Sequence, residues 1–386
     1  DFHTHSFYAF WSVPSTNSGS FEITVTIKAL CITEDPDRPT VATFIGMHRV
    51  GIDLSIICPQ HHYRHDELTK AGLNTIPIEF RGRYDPKAIR LLREELDKGK
   101  YDILHILGNR ALQNGLIATR GMQIRIVVYR GIVGNVSFFN PVSWMRVLNP
   151  RIDRIICVAD AVRKYFLQMR PKFLRISPKR LVTIHKGHSL DWYTNSPASL
   201  EDFGVPKGAF VVGCVATYRP RKGIETLVEA MADFPDDWGI HLLLVGHMDS
   251  RKLNQKILAS AAADRIHRVG YVKDATPLTA ACDVFVMPSI KREGLARSVI
   301  EAMAYRVPTI VTNCGGSPEL VVDGVTGFVV PISDPGAISN CIRRMYKDPS
   351  MRRRMGEAAR QRIENTFRIQ DTIDKTIALY RSVLSE

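Results

Sequence analysis

Short runs of β-branched residues alternate with amphipathic helical patterns along this chain, and the alternation occurs twice. The first series extends from ITVTIKALCIT at 23–33 to LVTIH at 181–185, and the second from FVVGCVA at 210–216 to GFVVP at 327–331. Buried strands that alternate with helices of about 10–15 residues predict right-handed βαβ units and a parallel sheet. The repeated pattern therefore predicts an α/β fold with two sheets and a cleft between them.

The polar segment between the two series gives the expected domain boundaries. A chain of 386 residues is long enough for two domains of ordinary size. Residues 1–22 are rich in aromatic, serine and threonine residues without periodicity, so we expect a leader or a non-native extension there. We expect an N-terminal domain at 23–195, a linker at 196–208, a C-terminal domain at 209–365 and a last helical segment at 366–386, the end of a charged helical tail from Asp334 to Ser385.

Composition excludes several classes of protein. A hydrophobic fraction of 45% and a charged fraction of 24% are typical of soluble globular chains, and no apolar run reaches the ~20 residues that span a bilayer. The seven cysteines are scattered without a C-x-x-C pair, which predicts buried thiols in a reducing compartment such as the cytoplasm. The net charge of +13 favours a polyanionic partner: nucleotide phosphates, an acidic membrane surface or nucleic acid.

Three loops of the second series carry candidate functional residues, because ligands of open α/β sheets bind at the carboxyl ends of the strands. In the first loop, TYRPRKG at 217–223, Arg219 and Lys222 stand before a predicted helix. Their charges and the free amides of the helix N-terminus would form an anion site, although a solvated basic turn has the same pattern.

The second loop holds two glutamates eight positions apart, Glu293 and Glu301. Gly294 allows a ligand to approach the backbone closely, and the amides of 295–298 can cradle phosphate oxygens. Glu293 is suited to accept hydrogen bonds from hydroxyls, and Glu301, one turn into the predicted helix, to bind a sugar diol. By spacing alone, an exposed Glu293 and a purely structural Glu301 are equally open alternatives.

The third loop, TNCGGSPE at 312–319, places two glycines before a proline and a glutamate, which indicates a backbone forced close to another group. The sequence contains no G-x-G-x-x-G motif followed by an acidic residue and no Walker lysine loop, so dinucleotide and P-loop chemistry are not expected. It also contains no metal-ligand motif. We therefore expect no metal ion or other cofactor, and a bound diphosphate would be neutralised by Arg219, Lys222 and helix ends.

Five motifs follow one another in the second half of the chain. They are R-x-x-K-G at 219–223, G-Y-V at 270–272, E-G-x6-E-A-M-A at 293–304, V-P-T-I-V-T-x-x-G-G-x-P-E at 307–319 and D-G-x-T-G-F-V-V-P at 323–331. A looser match covers IHKGHSLDW at 184–192. On these motifs the chain resembles glycosyltransferase family 4, whose members are retaining enzymes with two Rossmann-like domains facing each other across a cleft, the GT-B architecture.

The resemblance implies a nucleotide-diphosphate sugar, UDP- or GDP-linked, as the donor and a glycan or lipid-linked acceptor, as in cell-surface glycan synthesis. Glu293 would lie beside the donor sugar, and Glu301 would bind the ribose hydroxyls of the nucleotide. Lys222, with Arg219, would neutralise the leaving diphosphate without a metal ion. The implied reaction is the transfer of a hexosyl group with retention of anomeric configuration.

Backbone groups would complete the implied donor site. One stretch of amides would hold the sugar and the β-phosphate, and a second short segment would flank the base. The last helix of the chain would cross back onto the first domain. The amides belong to Gly294, Leu295, Ala296 and Arg297, and the segment beside the base is Tyr271 and Val272.

The chain departs from the family pattern in both halves. Relatives usually place an arginine five residues before the motif lysine, where this chain has Thr217, and Arg219 is the inferred substitute. The family's histidine-glycine pair beside the sugar is here Arg130 and a glycine; an arginine can stabilise an oxyanion but cannot shuttle a proton near neutral pH. We expect Arg130, Arg38 and His105 on the acceptor side, with a structural core histidine as the alternative for His105.

Positive charge is concentrated at 146–186, which contains eleven lysines and arginines against two aspartates. Aromatic residues occur in and just before this segment, so it could lie on an anionic membrane surface. A soluble basic face over buried aromatics is the alternative. If the segment binds lipid, the protein would be peripheral on the inner face of the cytoplasmic membrane and its acceptor lipid-linked.

Two other functions remain open on sequence grounds. A nucleic-acid-binding protein would explain the basic charge, but the chain has no helix-turn-helix, zinc-finger or RNP-type motif, so no nucleic-acid partner is expected. A catalytically silent relative that acts as a partner protein would explain the departures at Thr217 and Arg130. A filter-binding assay tests the first alternative, and a nucleotide-sugar hydrolysis screen tests the second.

Overall fold

A computed structural model of the chain describes residues 26–171 and 173–386. The leader predicted at 1–22 therefore lies outside the described residues. None of the helices within these two ranges combines the length and the apolar character needed to cross a membrane.

Seven parallel strands form the first sheet: β1 (Lys28–Ile32), β2 (Asp53–Ile57), β3 (Asn74–Ile76), β4 (Ile103–Ile106), β5 (Arg125–Arg130), β6 (Arg154–Cys157) and β7 (Leu181–Thr183). Their order across the sheet is β3-β2-β1-β4-β5-β6-β7. Alternate residues of β1 face opposite sides, so that Leu30 and Ile32 belong to one hydrophobic core and Ala29 and Cys31 to another. Because both faces of the sheet are buried, the sequences of these strands are nearly continuous apolar runs.

Six parallel strands form the second sheet: β8 (Phe210–Val215), β9 (Ile240–Val245), β10 (Ile266–Gly270), β11 (Val284–Met287), β12 (Thr309–Thr312) and β13 (Gly327–Val330). Their order is β10-β9-β8-β11-β12-β13, so the winding reverses between β8 and β11. In the first sheet it reverses between β1 and β4. The predicted α/β fold with two parallel sheets is confirmed.

Helices cover both faces of each sheet. The first half contains α1 (Arg38–Arg49), α2 (His65–Lys70), α3 (Pro86–Gly99), α4 (Asn109–Ala118), α5 (Pro141–Trp144) and α6 (Asp160–Leu167). The second half contains α7 (Ile224–Met231), α8 (Arg251–Leu258), α9 (Thr276–Ala280), α10 (Arg297–Ala304), α11 (Ser317–Leu320), α12 (Pro335–Lys347), α13 (Pro349–Thr366) and α14 (Ile369–Leu384).

An aspartate with a proline one or two residues later begins four of these helices. The side chains of Asp37, Asp85, Asp334 and Asp348 each accept a hydrogen bond of 2.8–3.1 Å from the backbone amide three residues further on. The aspartate satisfies an amide that has no partner inside the helix, and the proline needs none. These caps fix where α1, α3, α12 and α13 begin.

The tail expected from Asp334 to Ser385 is helical, and it is divided into three helices, α12, α13 and α14. The first break lies at Asp348, since Pro349 cannot continue the preceding helix and Asp348 caps the next one. At the second break the backbone pairs with His188, whose amide donates to the carbonyl of Phe367 and whose carbonyl accepts from the amide of Ile369.

The last helix, α14, returns to the first domain and packs against α1. A Cβ atom on Gly46 of α1 would lie 2.2 Å from Cδ1 of Ile373, so the two helices approach closely at a glycine. Tyr380 of α14 is buried beneath the first sheet, with its hydroxyl 2.8 Å from Nδ1 of His105. The predicted return of the last helix to the first domain is confirmed.

Candidate active site

A cavity of about 760 Å³ lies between the carboxyl ends of the two sheets. On the side of the second sheet, the loops after β8 and β11 and the start of α10 form its wall. The winding of the sheet reverses at β8 and β11, and the loops that leave such a pair diverge and open a crevice. Lys222, Glu293 and Glu301 line this cavity together.

A buried ion pair joins the loops after β8 and β11. Nζ of Lys222 lies 2.8 Å from Oε2 of Glu293, and the side chains are 16% and 8% exposed. The hydroxyl of Ser289 donates a hydrogen bond to the same carboxylate oxygen. The Glu293 carboxylate is therefore held in one orientation by a cation and a hydroxyl, which pre-organises it at the edge of the cavity.

The glycines of the third loop pack against the backbone that carries Glu293. A Cβ atom on Gly315 would lie 2.0 Å from the carbonyl oxygen of Glu293, and one on Gly316 would lie 2.3 Å from that of Gly294. The sequence predicted that this loop is forced close to another group, and that group is the Glu293 loop. Gly294 in turn abuts the first domain, because its Cβ would lie 2.1 Å from the carbonyl oxygen of Gly131.

Glu301 occupies the floor of the cavity on α10. Its side chain is 14% exposed, and its Oε1 lies 3.2 Å from Nε of Arg297 one turn earlier. Burial raises the pKa of the Glu301 carboxyl to about 7, because the opposing charge of Arg297 is partly offset by Asp274 and Asp37. This carboxyl is therefore poised to change its charge near neutral pH.

Backbone and aromatic groups complete the second-domain wall. Leu295 to Ser298, the turn that leads into α10, line the cavity and bring the positive end of the helix dipole to it. Tyr271 and Val272, which follow β10, lie further along the same wall. Tyr271 is 64% exposed and its ring stacks on His247, with centroids 4.8 Å apart and planes 8° apart. The wall thus offers amides at one point and an aromatic face at another.

Four of the predicted site residues do not line this cavity: Gly294, which abuts Gly131, and three residues with larger side chains. Arg219 is exposed, and its guanidinium donates to the carbonyl of Tyr218 instead of entering the cavity. Arg130 is also outside the cavity wall, with Nη2 donating to the carbonyl of Gly134. His105 is 4% exposed and lies in the core beside Tyr380. This position agrees with the alternative given above, in which His105 is a structural core histidine.

The first domain contributes a charged group that the sequence analysis did not select. Asp37, the cap of α1, lies on the cavity wall beside Arg38, and Lys186 binds both of its carboxylate oxygens at 2.9–3.0 Å. Burial raises the pKa of the Asp37 carboxyl, but the Lys186 charge and hydrogen bonds from Thr40 outweigh burial and lower it to about 2. The Asp-x-Pro pattern after β1 is the one sequence signal that points to Asp37.

Two family models match consecutive parts of the chain. The model described as "Glycosyltransferase Family 4" matches residues 42–192, and the model described as "Glycosyl transferases group 1" matches residues 195–362. The second match covers Lys222, Glu293 and Glu301.

Curated relatives match with moderate identity. The capsular polysaccharide biosynthesis glycosyltransferase CapM of Staphylococcus aureus is 31% identical over 180 residues, which cover 46% of this chain and 47% of CapM. The phosphatidyl-myo-inositol mannosyltransferase of Mycolicibacterium smegmatis is 24% identical over 318 residues, 78% of each chain. The chain spans about half the length of CapM and of two other curated relatives that it matches.

Solved structures match over nearly the whole chain. A glycosyltransferase from Rickettsia africae superposes with a TM-score of 0.77 and 19% identity, over 93% of this chain and 99% of the other. HepE of Anabaena in complex with UDP superposes with a TM-score of 0.75 and 21% identity, over 93% and 100%. At such identities the likeness shows the fold, which is two Rossmann-like domains across a cleft, the GT-B architecture.

Proposed function

The chain belongs to the glycosyltransferases of the group 1 and family 4 type, and from that membership we propose that it transfers a sugar from a nucleotide-diphosphate sugar to a glycan or lipid-linked acceptor, with retention of anomeric configuration. The observation on which this proposal depends is the convergence of Lys222, Glu293 and Glu301 on one cavity at the start of α10. We also retain the domain limits expected from the sequence: an N-terminal domain that ends at 195, a linker that ends at 208 and a C-terminal domain that ends at 365.

In this proposal the diphosphate binds between Lys222 and the turn that begins α10. The ammonium group and the helix N-terminus present positive charge from two directions, and both lie on the cavity wall. Charge accumulates on the leaving diphosphate in the transition state, so groups fixed there in advance stabilise the transition state more than the ground state. We propose that these groups suffice without a metal ion and that Arg219 adds a longer-range attraction from the exposed surface.

The nucleoside end of the donor is assigned to Glu301 and the segment after β10. An ionised Glu301 can accept hydrogen bonds from both hydroxyls of a ribose, which also compensates the burial of its charge. Tyr271 and Val272 would contact the base. UDP and GDP are both candidates for the nucleotide, and a binding titration with each distinguishes them.

Glu293 is proposed to position the donor sugar and not to attack it. Its Oε2 already receives a hydrogen bond from Ser289 and pairs with Lys222, which leaves Oε1 to accept from sugar hydroxyls. Departure of the diphosphate gives an oxocarbenium-like transition state. The acceptor hydroxyl then bonds to the anomeric carbon on the face the diphosphate has left, and its proton passes to a phosphate oxygen of the leaving group.

A screen with UDP- and GDP-linked hexoses tests the proposal. We expect release of nucleotide from one donor class, faster when an acceptor is present, with the anomeric configuration of the product equal to that of the donor by NMR. Binding of neither nucleotide, or inversion at the anomeric carbon, would contradict it. Nucleotide binding without turnover on any acceptor would instead favour the silent-partner alternative.

We further propose a peripheral location on the inner face of the cytoplasmic membrane. Several cations of 146–186 are bound inside the protein: Arg151 donates to the carbonyls of Leu116 and Thr119, and Arg180 to those of Ile152 and Asn149. Other residues of the segment are exposed, among them Lys164, Leu167, Arg170, Phe173 and Lys179, with Phe173 at 84%, and we take these five as one patch in this proposal.

This patch has the composition of an interfacial lipid contact. The Phe173→Ser variant should bind vesicles of anionic phospholipid at low salt more weakly than the wild type, while nucleotide binding is unchanged. Equal vesicle binding by both proteins would remove the membrane from the proposal.

A further inference from the structure

Four arginines near the Glu293 loop act on one another's charge, Arg146 and Arg292 on Arg130 and Arg83 on Arg146. Arg83 precedes α3, Arg130 ends β5, Arg146 follows α5 and Arg292 is the residue before Glu293. Burial lowers the pKa of Arg130 and Arg146; the charges of Arg146 and Arg292 lower that of Arg130 further, and the charge of Arg83 lowers that of Arg146. Like charges within mutual reach raise the energy of the protein unless an anion compensates them. These four residues are called the arginine cluster below.

Protein carboxylates do not compensate the cluster. Within the described ranges, none of the four guanidinium groups lies within 4.0 Å of a carboxylate oxygen. The carboxylate that acts on Arg146 is Glu34, but Glu34 is already bound by Nε of Arg110 at 2.9 Å and by the amides of Arg110 and Ala111. The positive charge of the cluster is therefore in excess at this point of the surface.

Two arginines of the cluster also hold buried donors that have no acceptor among the described residues. These donors are Nε of Arg130 and Nε of Arg146. Other atoms of the same groups are fixed: Arg130 donates through Nη2 to the carbonyl of Gly134, and Arg146 through Nη2 to the carbonyl and side chain of Asn109. A buried donor without a partner costs about 1–3 kcal/mol, so fixed guanidinium groups with a spare N–H are unfavourable unless a ligand accepts from them.

The cluster lies next to the reacting centre but outside the nucleotide cavity. The carbonyl of Gly131, directly after Arg130, touches Gly294, and the side chain of Arg292 packs against Gly134. None of the four arginines is on the cavity wall that holds Lys222 and Glu301. An anion bound by the cluster would thus approach the donor sugar from the first domain, which is the side from which an acceptor must come.

We propose that the acceptor carries a phosphate or carboxylate group and that the arginine cluster binds it. The inference depends on the proposed function, since it assigns the acceptor class of the same reaction. Guanidinium groups fit both anions because they donate two parallel hydrogen bonds to a pair of oxygens. Exposed aromatic residues stand beside the cluster in sequence, Tyr84 at 66% and Trp144 at 40%, and offer flat faces to the sugar or lipid part of the acceptor.

The test measures anion binding separately from catalysis. The full chain is first saturated with UDP or GDP, whichever binds, so that the diphosphate site is occupied. Glucose 6-phosphate, glucuronate and glucose are then titrated by calorimetry. Charge-assisted hydrogen bonds to the cluster should make both anions bind at least about tenfold more tightly than glucose.

Variants assign this binding to the cluster. Arg83 is exposed and makes no hydrogen bond to a described residue, so Arg83→Gln tests charge without disturbing the fold and should weaken anion binding about threefold. Arg146→Gln removes a buried donor and should weaken it about tenfold or more. Arg354→Gln, on the exposed face of α13, is the matched control and should leave affinity within about twofold.

Vesicles of phosphatidylglycerol, with phosphatidylcholine as the neutral counterpart, form the second arm. If phosphatidylglycerol binds in an Arg146-dependent manner and glucose 6-phosphate does not, the anion is a lipid headgroup; the reverse result indicates a soluble acceptor. The inference is overturned if the sugar anions bind no more tightly than glucose and phosphatidylglycerol binds no more tightly than phosphatidylcholine. It is also overturned if the cluster variants bind the anion with the same affinity as Arg354→Gln, or if glucose 6-phosphate displaces the nucleotide. Anion binding in a protein that binds neither nucleotide would count against the proposed function and not against the anion site.

Discussion

The carboxylate of Glu319 accepts a hydrogen bond of 2.8 Å from the backbone amide of Asp160, the first residue of α6. Glu319 belongs to α11 beside the second sheet, whereas α6 belongs to the first, so one domain caps a helix of the other. The second oxygen, Oε1, accepts from the amide of Ala161 at 2.7 Å. Nε2 of His185 lies 3.0 Å from Oε2, the oxygen that accepts from Asp160. A negative charge at a helix N-terminus is favourable, and here it also fixes the relative position of the two domains.

We predict that Glu319→Gln loosens this contact. The side-chain amide oxygen of the glutamine can accept one of the two backbone hydrogen bonds, but the side chain has no negative charge. The free energy of unfolding should therefore fall by about 1 kcal/mol. Burial raises the pKa of the Glu319 carboxyl, but His185 and the two amides outweigh burial and lower it below 4.5. The ionised form therefore stabilises the folded state above that pH and the contribution is lost in stronger acid.

Urea unfolding of both proteins across a pH series measures this difference. The gap between wild type and variant should be largest near neutral pH and should close as the pH falls through the folded-state pKa. Glu357→Gln is the control, because Glu357 is 60% exposed in its pair with Arg306. A gap of the same size for Glu357→Gln, or one that widens in acid, would contradict the prediction.

Lys222→Ala should abolish most of the turnover and also lower stability. Loss of one pre-organised group at a developing negative charge costs about 10²–10³-fold in rate. The variant also leaves the Glu293 carboxylate buried at 8% exposure without its cation, which costs about 3 kcal/mol. Steady-state kinetics and thermal unfolding measure the two effects.

A double variant separates these effects. In Lys222→Ala/Glu293→Gln no buried carboxylate is left unpaired, so much of the stability should return while turnover stays low. Lys207→Ala, at an exposed position in the linker, should change neither quantity. Near-normal turnover of Lys222→Ala would remove this lysine from the proposed mechanism.

Donor binding should strengthen with pH around neutrality because of Glu301. With a pKa of about 7, the carboxyl is mostly protonated at about pH 6 and mostly ionised at about pH 8. If two ribose hydroxyls donate to the ionised form, the affinity for the donor should rise about tenfold over this range. A nucleotide-diphosphate sugar has no group that titrates there, so the dependence belongs to the protein.

Calorimetric titration at each pH measures the donor affinity. Glu301→Gln, which does not titrate, should bind with a weak and nearly constant affinity. The free energy of unfolding of the unliganded protein should change with pH in the opposite direction. Because the pKa of Glu301 is raised in the folded state, its protonated form favours folding. The free energy of unfolding, measured relative to Glu301→Gln, should therefore decline between about pH 4.5 and 7. A wild-type affinity that does not change with pH would exclude ribose binding by this carboxylate.

Much of the candidate site could be predicted from the sequence, because several residues that line the cavity belong to short motifs at strand ends. Lys222 and Glu293 lie in the loops after two strands, and Glu301 lies on the helix that follows the second loop. Their convergence requires that β8 and β11 be neighbours at the reversal of the sheet. Parallel βαβ winding makes such a reversal predictable. The loop of Gly315 was likewise predicted to press on another group.

Contacts between distant segments could not be predicted in the same way. Asp37 and Lys186 are 149 positions apart, and no periodic pattern indicates that they pair across the edge of the cavity. At the end of α13 the backbone pairs with His188 in the other domain, a contact that the composition of the charged tail does not indicate. Arg219 looks like part of the anion site in sequence, yet its side chain turns to the carbonyl of Tyr218, a local bond that spacing does not encode.

Gly315→Ala should impair activity by moving the Glu293 loop. Gly315 has a φ of +57°, which disfavours any other residue by about 1–2 kcal/mol, and its added Cβ would lie 2.0 Å from the carbonyl oxygen of Glu293. The backbone of Glu293 must shift to relieve that contact, which disturbs the carboxylate held by Lys222. Because pre-organisation at the sugar depends on this geometry, we expect a fall in kcat of about tenfold or more.

Gly324→Ala provides the matched control for this prediction. Gly324 also has a positive φ, +73°, but a Cβ there would meet no atom within 4 Å. Both variants should therefore lose a similar amount of stability from backbone strain, whereas the larger loss of kcat should belong to Gly315→Ala. Equal kcat values for the two variants would mean that strain, and not the contact with Glu293, accounts for the need for glycine in this loop.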